Sequence, residues 1–161
     1  MIYQRPAYEQ VTIVHGDHAV TLRPTLRAAA TLEQRYGFPT LFQAVDEFNL
    51  TIISEIILVS DSSGNQNAAA FLQSGAGRPL LPFFHAVQQP IADLVAMFAP
   101  APVQSLDTAQ RTGKEMSPQE VFAAFYEKAT GWLGWTPEEA WNATPTEIDR
   151  AYAAHTEKLK A

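Results

Sequence analysis

Two short segments near the start of the chain alternate between apolar and polar positions. Residues 11–14 and 19–22 are rich in β-branched side chains, which favour strands. Between them, Gly16 and Asp17 are residue types that suit a tight two-residue turn. This alternation predicts a β-hairpin.

After the hairpin, apolar residues recur every three or four positions, which is the spacing of a helix. The first stripe consists of Leu22, Leu26, Ala29, Leu32 and Tyr36. Pro24 suits the first turn of this helix, and Gly37 suits a left-handed residue at its end. Pro39 is then predicted to begin a second, shorter helix.

Residues 51–60 are rich in Ile and Val, so propensity alone would allow a strand. Their apolar residues keep helical spacing, however, and we expect a helix followed by a break at residues 61–64 and a further short helix. The apolar segment 80–98 contains Pro82 and Pro90. Because proline interrupts the hydrogen-bond ladder of a helix, we expect two short helices there rather than one long helix.

The C-terminal part of the chain contains three copies of one helix-start pattern. Ser117, Thr136 and Thr144 are each followed directly by proline and, at the third position, by glutamate. A hydroxyl N-cap, a first-turn proline and a glutamate at the third position suit the free N–H groups at the start of a helix. We therefore expect three helices, the first of them extending to about Trp132.

The two parts of the chain are separated by a change in composition. Residues 100–116 begin with Pro and Ala, continue with polar residues and are predicted to form a linker. The predicted fold is mainly α, with a hairpin-plus-helices domain over residues 1–99 and a small three-helix segment over residues 117–161.

Charge and composition narrow the range of functions. The 161-residue chain has a formal net charge of −6, and its 11 Lys and Arg residues are spread thinly. Because affinity for nucleic acid comes mainly from clustered basic residues, nucleic-acid binding is not expected. No apolar run approaches the roughly 20 residues of a membrane helix, and the N-terminus lacks a secretory pattern, so a cytoplasmic protein without a membrane partner is expected. The absence of cysteine excludes thiolate metal sites, cysteine nucleophiles and disulfides.

The densest group of residues that could bind a metal is His15, Asp17 and His18, in the predicted turn. Side chains that flank a two-residue turn need not converge, and no further His or Cys lies nearby, so an exposed turn is favoured over a zinc site. The neighbouring Glu138 and Glu139 are better explained by helix capping than by acid–base catalysis. We expect no catalytic, metal-binding or cofactor-binding residue, and hence no enzyme.

Aromatic residues are concentrated in the C-terminal segment. Most of them are expected to fill a small core, yet so short a segment can bury few large rings completely. Trp132, Trp135 and Trp141, together with Pro137, are therefore candidates for a partner-binding face, because Trp is a favoured anchor at interfaces. In the middle of the chain, the adjacent residues Phe83–Phe84 are candidates for a partner or oligomer contact if they are exposed.

Two stretches of the chain resemble families of phage tail proteins. Residues 11–60, with the run TLRPT at residues 21–25, resemble a gene-transfer-agent and phage family often labelled tail tube protein. Residues 119–150, with the runs GWLGWTPEEAW at 131–141 and ATPTE at 143–147, resemble the short phage tail assembly chaperones.

The second resemblance implies a protein that acts during particle assembly in a bacterial host. Such a chaperone binds the tape measure protein, a long helical chain with exposed apolar faces, and recruits tail tube subunits. The resemblance implies no catalytic residue. It leaves open which part contacts which partner and whether the protein forms homo-oligomers. The alternative is a minor structural tail protein that stays in the particle, as the tube label of the first family suggests.

Overall fold

The computed structural model describes residues 9–74, 77–98 and 117–160. They form an antiparallel hairpin followed by helices, so the predicted mainly α fold is confirmed. The strands are β1 (Val11–His15) and β2 (His18–Leu22). The helices are α1 (Leu26–Arg35), α2 (Phe38–Glu47), α3 (Leu50–Ser60), α4 (Gln66–Ser74), α5 (Leu80–Ala96), α6 (Pro118–Glu127), a π-helical turn (Lys128–Trp132), α7 (Pro137–Asn142) and α8 (Pro145–Lys160).

The hairpin lies where the alternating pattern predicts it. Ile13 pairs with Val20 across the ladder, and His15 pairs with His18 beside the turn. Gly16 adopts a φ of +61° in this turn, a conformation that favours glycine. Ile13 and Val20 point inward and are buried, because α5 packs against β1 and α4 packs against β2.

Helix α1 begins at a residue whose side chain caps it. The Thr25 hydroxyl accepts a hydrogen bond from the backbone N–H of Ala28 at 3.1 Å. The members of the predicted stripe that lie in this helix are buried: Leu26, Ala29 and Leu32. Leu22 belongs to β2, and Pro24 precedes the cap, so the helix starts later than predicted. Gly37 follows the helix with a φ of +83° and a ψ of 147°, a conformation that favours glycine but is not the predicted left-handed helical cap.

The segment rich in Ile and Val is helix α3, as its spacing predicts. The side-chain oxygen of Asn49 accepts a hydrogen bond from the N–H of Ile52 at 3.3 Å and caps the helix. Ile53, Ile56 and Ile57 have no exposed surface. Burial on one helical face therefore outweighs the preference of β-branched residues for strands.

The expectation of two short helices over residues 80–98 is wrong. Helix α5 runs unbroken for 17 residues and contains Pro90. Pro82 is tolerated because it lies in the first turn, where backbone N–H groups have no partner within the helix. Pro90 costs about 3 kcal/mol in a helix interior. The helix nevertheless buries apolar side chains along one whole side. Full burial of a large apolar side chain stabilises a fold by about 1.5–3 kcal/mol. The buried residues are Phe83, Val87, Ile91, Leu94 and Val95.

All three helix starts predicted in the C-terminal segment are present. The Ser117 hydroxyl accepts from Glu120 N at 3.3 Å, and the Glu120 carboxylate accepts from Ser117 N at 3.1 Å. The hydroxyl of Thr136 accepts the backbone N–H three residues later at 3.1 Å, and that of Thr144 does the same at 3.1 Å. These bonds are local, which is why the sequence alone predicts them.

The C-terminal helices pack against helix α1. Both α6 and α7 contact α1, and the backbone N–H of Leu26 donates a hydrogen bond to the carbonyl of Ala143 at 2.8 Å. The Arg23 guanidinium forms an ion pair with Glu147 and donates to the Asn142 carbonyl at 3.0 Å. The predicted linker over residues 100–116 lies outside the described residues, so the proposed domain boundary stays a prediction.

Candidate functional site

An aromatic groove lies between α1, α6 and α7, and we use this name for it throughout. It has a volume of about 520 Å³ and is lined by Ala30, Gln34, Gln119, Phe122, Ala123, Tyr126, Glu127 and Trp141. The rings of Tyr126 and Trp141 lie side by side, with their centroids 5.1 Å apart. The groove joins residues from both ends of the chain, because α1 supplies one wall and the C-terminal helices supply the other.

The lining of the aromatic groove suits close contact with another polypeptide. Ala30 and Ala123 are small, so a partner backbone can approach the two helices that carry them. Tyr126 and Trp141 are partly exposed, and they offer large, rigid surfaces with few rotatable bonds. The groove continues past Trp141 into a space of about 180 Å³ that reaches Arg27.

The charges at the aromatic groove are few. Glu127 is the one charged residue among those lining the main part of the groove, and it is exposed. At the far end, Arg27 forms an ion pair with Glu138 at 3.2 Å, and both side chains are largely exposed. The unbalanced charge at the groove is therefore negative and favours a basic residue in whatever binds there.

The tryptophans named from the sequence occupy different environments. Trp132 is 59% exposed, and its ring meets the Tyr152 ring edge-on at a centroid distance of 6.2 Å. Trp135 is partly buried against the core, whereas Trp141 lines the aromatic groove. Pro137 is exposed at the first position of α7. The structure thus places Trp141 in a groove and leaves Trp132 on the surface.

The π-helical turn positions Lys128 between two rings and a carboxylate. The Lys128 ammonium lies 5.6 Å from the ring centroid of Phe125, 4.9 Å from that of Tyr152 and 3.7 Å from the Asp149 carboxylate. These contacts tie the π-helical turn, which ends at Trp132, to α8. Burial raises the pKa of the Asp149 carboxyl above its ordinary value of 3.8, and the nearby Lys128 only partly offsets this effect.

Replacing Asp149 by asparagine is expected to increase stability at pH 7. A raised pKa in the folded state means that protonated Asp149 adds stability below pH 3.8, and this stability is lost as the pH rises through the folded-state pKa. The stability gained by the asparagine variant should therefore shrink as the pH falls from the folded-state pKa of Asp149 to its ordinary value of 3.8. Denaturant unfolding of both proteins from pH 3 to 7 measures it. A less stable variant at pH 7 would show that the ion pair with Lys128 outweighs burial.

Phe83 and Phe84 do not form the exposed pair considered from the sequence. Phe83 is buried, with its ring centroid 5.4 Å from that of His15 and 5.7 Å from that of Phe71. Phe84 is partly buried against Phe48, at a centroid distance of 4.6 Å. Phe83 is therefore corrected from a candidate contact residue to a core residue, because it lies on the buried side of α5.

The sequence analysis missed a second apolar surface, which involves leucines rather than aromatics. Leu50, Leu80 and Leu81 are 38%, 53% and 63% exposed, respectively. The available signal was the Leu80–Leu81 pair directly after Pro79, at the start of a helix. Helical periodicity does not show where the neighbouring elements end. From the sequence, these leucines therefore could not be told apart from core residues.

The described residues contain no cluster of three or more His, Asp or Glu side chains that could hold a metal ion. His15 packs on Phe83, while Asp17 and His18 are exposed. Within the same parts of the chain, no helix is long and apolar enough to cross a membrane.

The described residues thus form a mainly helical fold with an N-terminal hairpin and an aromatic groove on its surface. Comparison of the chain with models of known families, with curated proteins and with solved structures gives no match.

Proposed function

We propose that this protein is a phage, prophage or gene-transfer-agent tail assembly chaperone that binds the tape measure protein and recruits tail tube subunits. The observation that carries the proposal is the aromatic groove. It is built partly by the C-terminal helices, in which the resemblance to tail assembly chaperones is found, and it offers Trp141 and Tyr126 to a partner.

The dimensions and lining of the groove support a helical partner. Two helices with alanines facing the groove leave room for a third helix, and an amphipathic helix can place its apolar side in such a groove. A tape measure protein, as the resemblance describes it, has long helices with exposed apolar faces. Glu127 adds a preference for a helix that carries Lys or Arg beside its apolar side.

The exposed Trp132 is a second observation that supports a role in protein binding. A tryptophan that is 59% exposed leaves much apolar area in water, and such residues are enriched at interfaces. Its backbone belongs to the π-helical turn, an element that often occurs at functional sites. Trp132 thus adds a second exposed ring, outside the aromatic groove, to the surface proposed to bind partners.

The test is co-expression with the tape measure protein encoded in the same gene cluster. With the wild-type chain, the tape measure protein is expected to become soluble and to co-purify. Trp141→Ala should weaken binding by about 25-fold or more, since an interface anchor is worth about 2 kcal/mol or more. Glu127→Lys should weaken binding without touching the core. Phe42→Ala, which removes another partly exposed ring on α2, is the matched control and should bind like the wild type.

Two results would argue against this function. If the tape measure protein stays insoluble with the wild-type chain, the chaperone role is wrong. If the chain is then found at stoichiometric level in purified particles by mass spectrometry, the minor structural tail protein becomes the better assignment. Circular dichroism of Trp141→Ala separates loss of the groove from loss of the fold.

A further inference from the structure

A second groove lies between α3, α4 and the start of α5, and we call it the leucine groove. It has a volume of about 420 Å³, and its walls include Leu50, Ser54, Leu72, Leu80, Phe83 and Arg78. None of its lining residues belongs to the aromatic groove. The two grooves are therefore separate surfaces.

The leucine groove exists because the apolar stripe of α5 is longer than the core that covers it. Leu80, Phe83, Val87, Ile91 and Leu94 follow one another at spacings of three and four, so they share one side of the helix. The last four are buried, whereas Leu80 is 53% exposed. The stripe thus continues one turn beyond the part that the described residues cover.

Leu50 extends the same apolar surface from the start of α3. It is 38% exposed and lines the groove together with Leu80 and the buried Phe83. Leu50 and Leu80 therefore both keep part of their apolar surface in water, and covering that surface would be favourable. Exposed apolar patches of this kind mark interaction surfaces in soluble proteins.

Arg78 gives the leucine groove a charge preference. It is the one charged residue among those lining the groove, and the ion pairs found in the described parts of the chain do not include it. One guanidinium nitrogen, Nη1, lies 3.4 Å from where a Cβ on Gly16 would be, so the group rests against the hairpin turn. A guanidinium at the edge of an apolar surface favours a carboxylate, which it can bind through two hydrogen bonds.

We propose that the leucine groove binds an apolar segment of another protein that carries a carboxylate. Two leucine-sized side chains of the partner cover Leu50 and Leu80, and an Asp or Glu of the partner meets Arg78. The charge preference is opposite to that of the aromatic groove, where Glu127 favours a basic residue. The two grooves therefore select different partner segments, and this inference does not depend on the identity of either partner.

The test uses two synthetic helical peptides of about 15 residues, a length at which helices become marginally stable. Both carry leucines at helical spacing, and they differ only in one glutamate or lysine beside the apolar side. The comparison is made in the Trp141→Ala variant, because Glu127 at the aromatic groove of the wild type favours the lysine peptide. In that variant the glutamate peptide should bind about tenfold more tightly than the lysine peptide in fluorescence anisotropy, a difference of about 1.4 kcal/mol. Arg78→Glu should reverse this preference.

Variants inside and outside the leucine groove show whether the glutamate peptide binds in this groove. Leu80→Asn should weaken binding of the glutamate peptide by about tenfold. Leu159→Asn, which changes a leucine that is 64% exposed on α8, should leave this binding unchanged. Trp141→Ala in the aromatic groove should also leave it unchanged. Leu80 and Arg78 are exposed, so both variants should keep the wild-type circular dichroism spectrum and melting temperature.

The proposal is overturned if the two peptides bind equally well, or if Leu80→Asn and Leu159→Asn behave alike. Loss of binding in Trp141→Ala would place the peptide in the aromatic groove and would also overturn it. Analytical ultracentrifugation of the chain alone tests whether a second copy of the chain occupies the groove instead. If the wild type forms a dimer that Leu80→Asn dissociates, the groove binds a second copy and the assignment to an acidic partner segment is wrong.

Discussion

Replacing Phe71 by alanine is expected to lower the free energy of unfolding by about 3–5 kcal/mol. Phe71 lies on α4 with no exposed surface, and its ring centroid is 5.7 Å from that of Phe83 on α5. Removing the ring loses its transfer free energy and leaves a cavity that the surrounding helices cannot fill completely. Because domains of this kind have a total stability of about 5–15 kcal/mol, the variant should approach the limit of folding.

Urea unfolding of the purified variant measures this effect, with the slope of the transition as a check on the compactness of the unfolded state. Phe42→Ala is the matched control, because that ring is 46% exposed on α2 and should change stability by only about 0.5 kcal/mol. Equal effects for the two variants would mean that Phe71 does not occupy the core position described above.

Replacing Arg23 by methionine is expected to destabilise the protein by about 2–3 kcal/mol. The side chains of Arg23 and Glu147 are only 14% and 20% exposed, so the change leaves a poorly solvated carboxylate without its partner. It also removes the donor to the Asn142 carbonyl at 3.0 Å. Methionine retains the apolar stem, so the loss comes mainly from the ion pair and the hydrogen bonds.

Arg27→Met provides the comparison for this ion pair. Its partner Glu138 is 76% exposed and Arg27 itself is 53% exposed, and pairs of this kind contribute about 0–1 kcal/mol. Unfolding in low and high salt should leave the effect of Arg23→Met largely unchanged, since a partly buried pair is screened less. If Arg23→Met lowers the free energy of unfolding no more than Arg27→Met does, the Arg23–Glu147 ion pair is not the partly buried, stabilising contact that its geometry indicates.

The Arg23 variant also tests how the two parts of the chain depend on each other. Arg23 precedes α1, whereas Glu147 and Asn142 belong to the C-terminal helices, so their contacts join segments far apart in sequence. If residues 117–161 fold independently, Arg23→Met should separate one unfolding transition into two. A single, weakened transition would indicate that both parts unfold together.

The two grooves differ in what they can recognise. The aromatic groove presents rings and one carboxylate, whereas the leucine groove presents aliphatic side chains and one guanidinium. Opposite charges at otherwise apolar surfaces disfavour exchange of partners, because each partner would bring a like charge to the wrong groove. The proposed role as a tail assembly chaperone with two partners would need this kind of discrimination.

Much of the fold could be predicted from the sequence because its signals are local. The turn at Gly16 and the caps at Ser117, Thr136 and Thr144 depend on residues within three or four positions. Helical spacing also identified α3 against its strand propensity. The same local reasoning failed for α5, where Pro90 argued for a break and burial along the whole helix outweighed it.

The candidate site could be predicted only in part. Aromatic density pointed to the C-terminal helices, and Trp141 lines a groove there, while its role in partner binding stays a prediction. Which ring is covered depends on neighbours that are distant in sequence. Phe83 is buried because β1, α4 and α5 meet there, and Leu80 is exposed because no described element extends over the start of α5.

The sequence by itself determined where the hairpin turns, where most helices begin and which side of each helix is apolar. Backbone conformation and capping are decided by a few adjacent residues. Only the tertiary structure decided that α1 and the C-terminal helices form one wall each of the aromatic groove, and that α5 leaves its first turn uncovered. Exposure is a property of how the elements pack, so an apolar position in a sequence does not reveal whether the protein itself or a partner covers it.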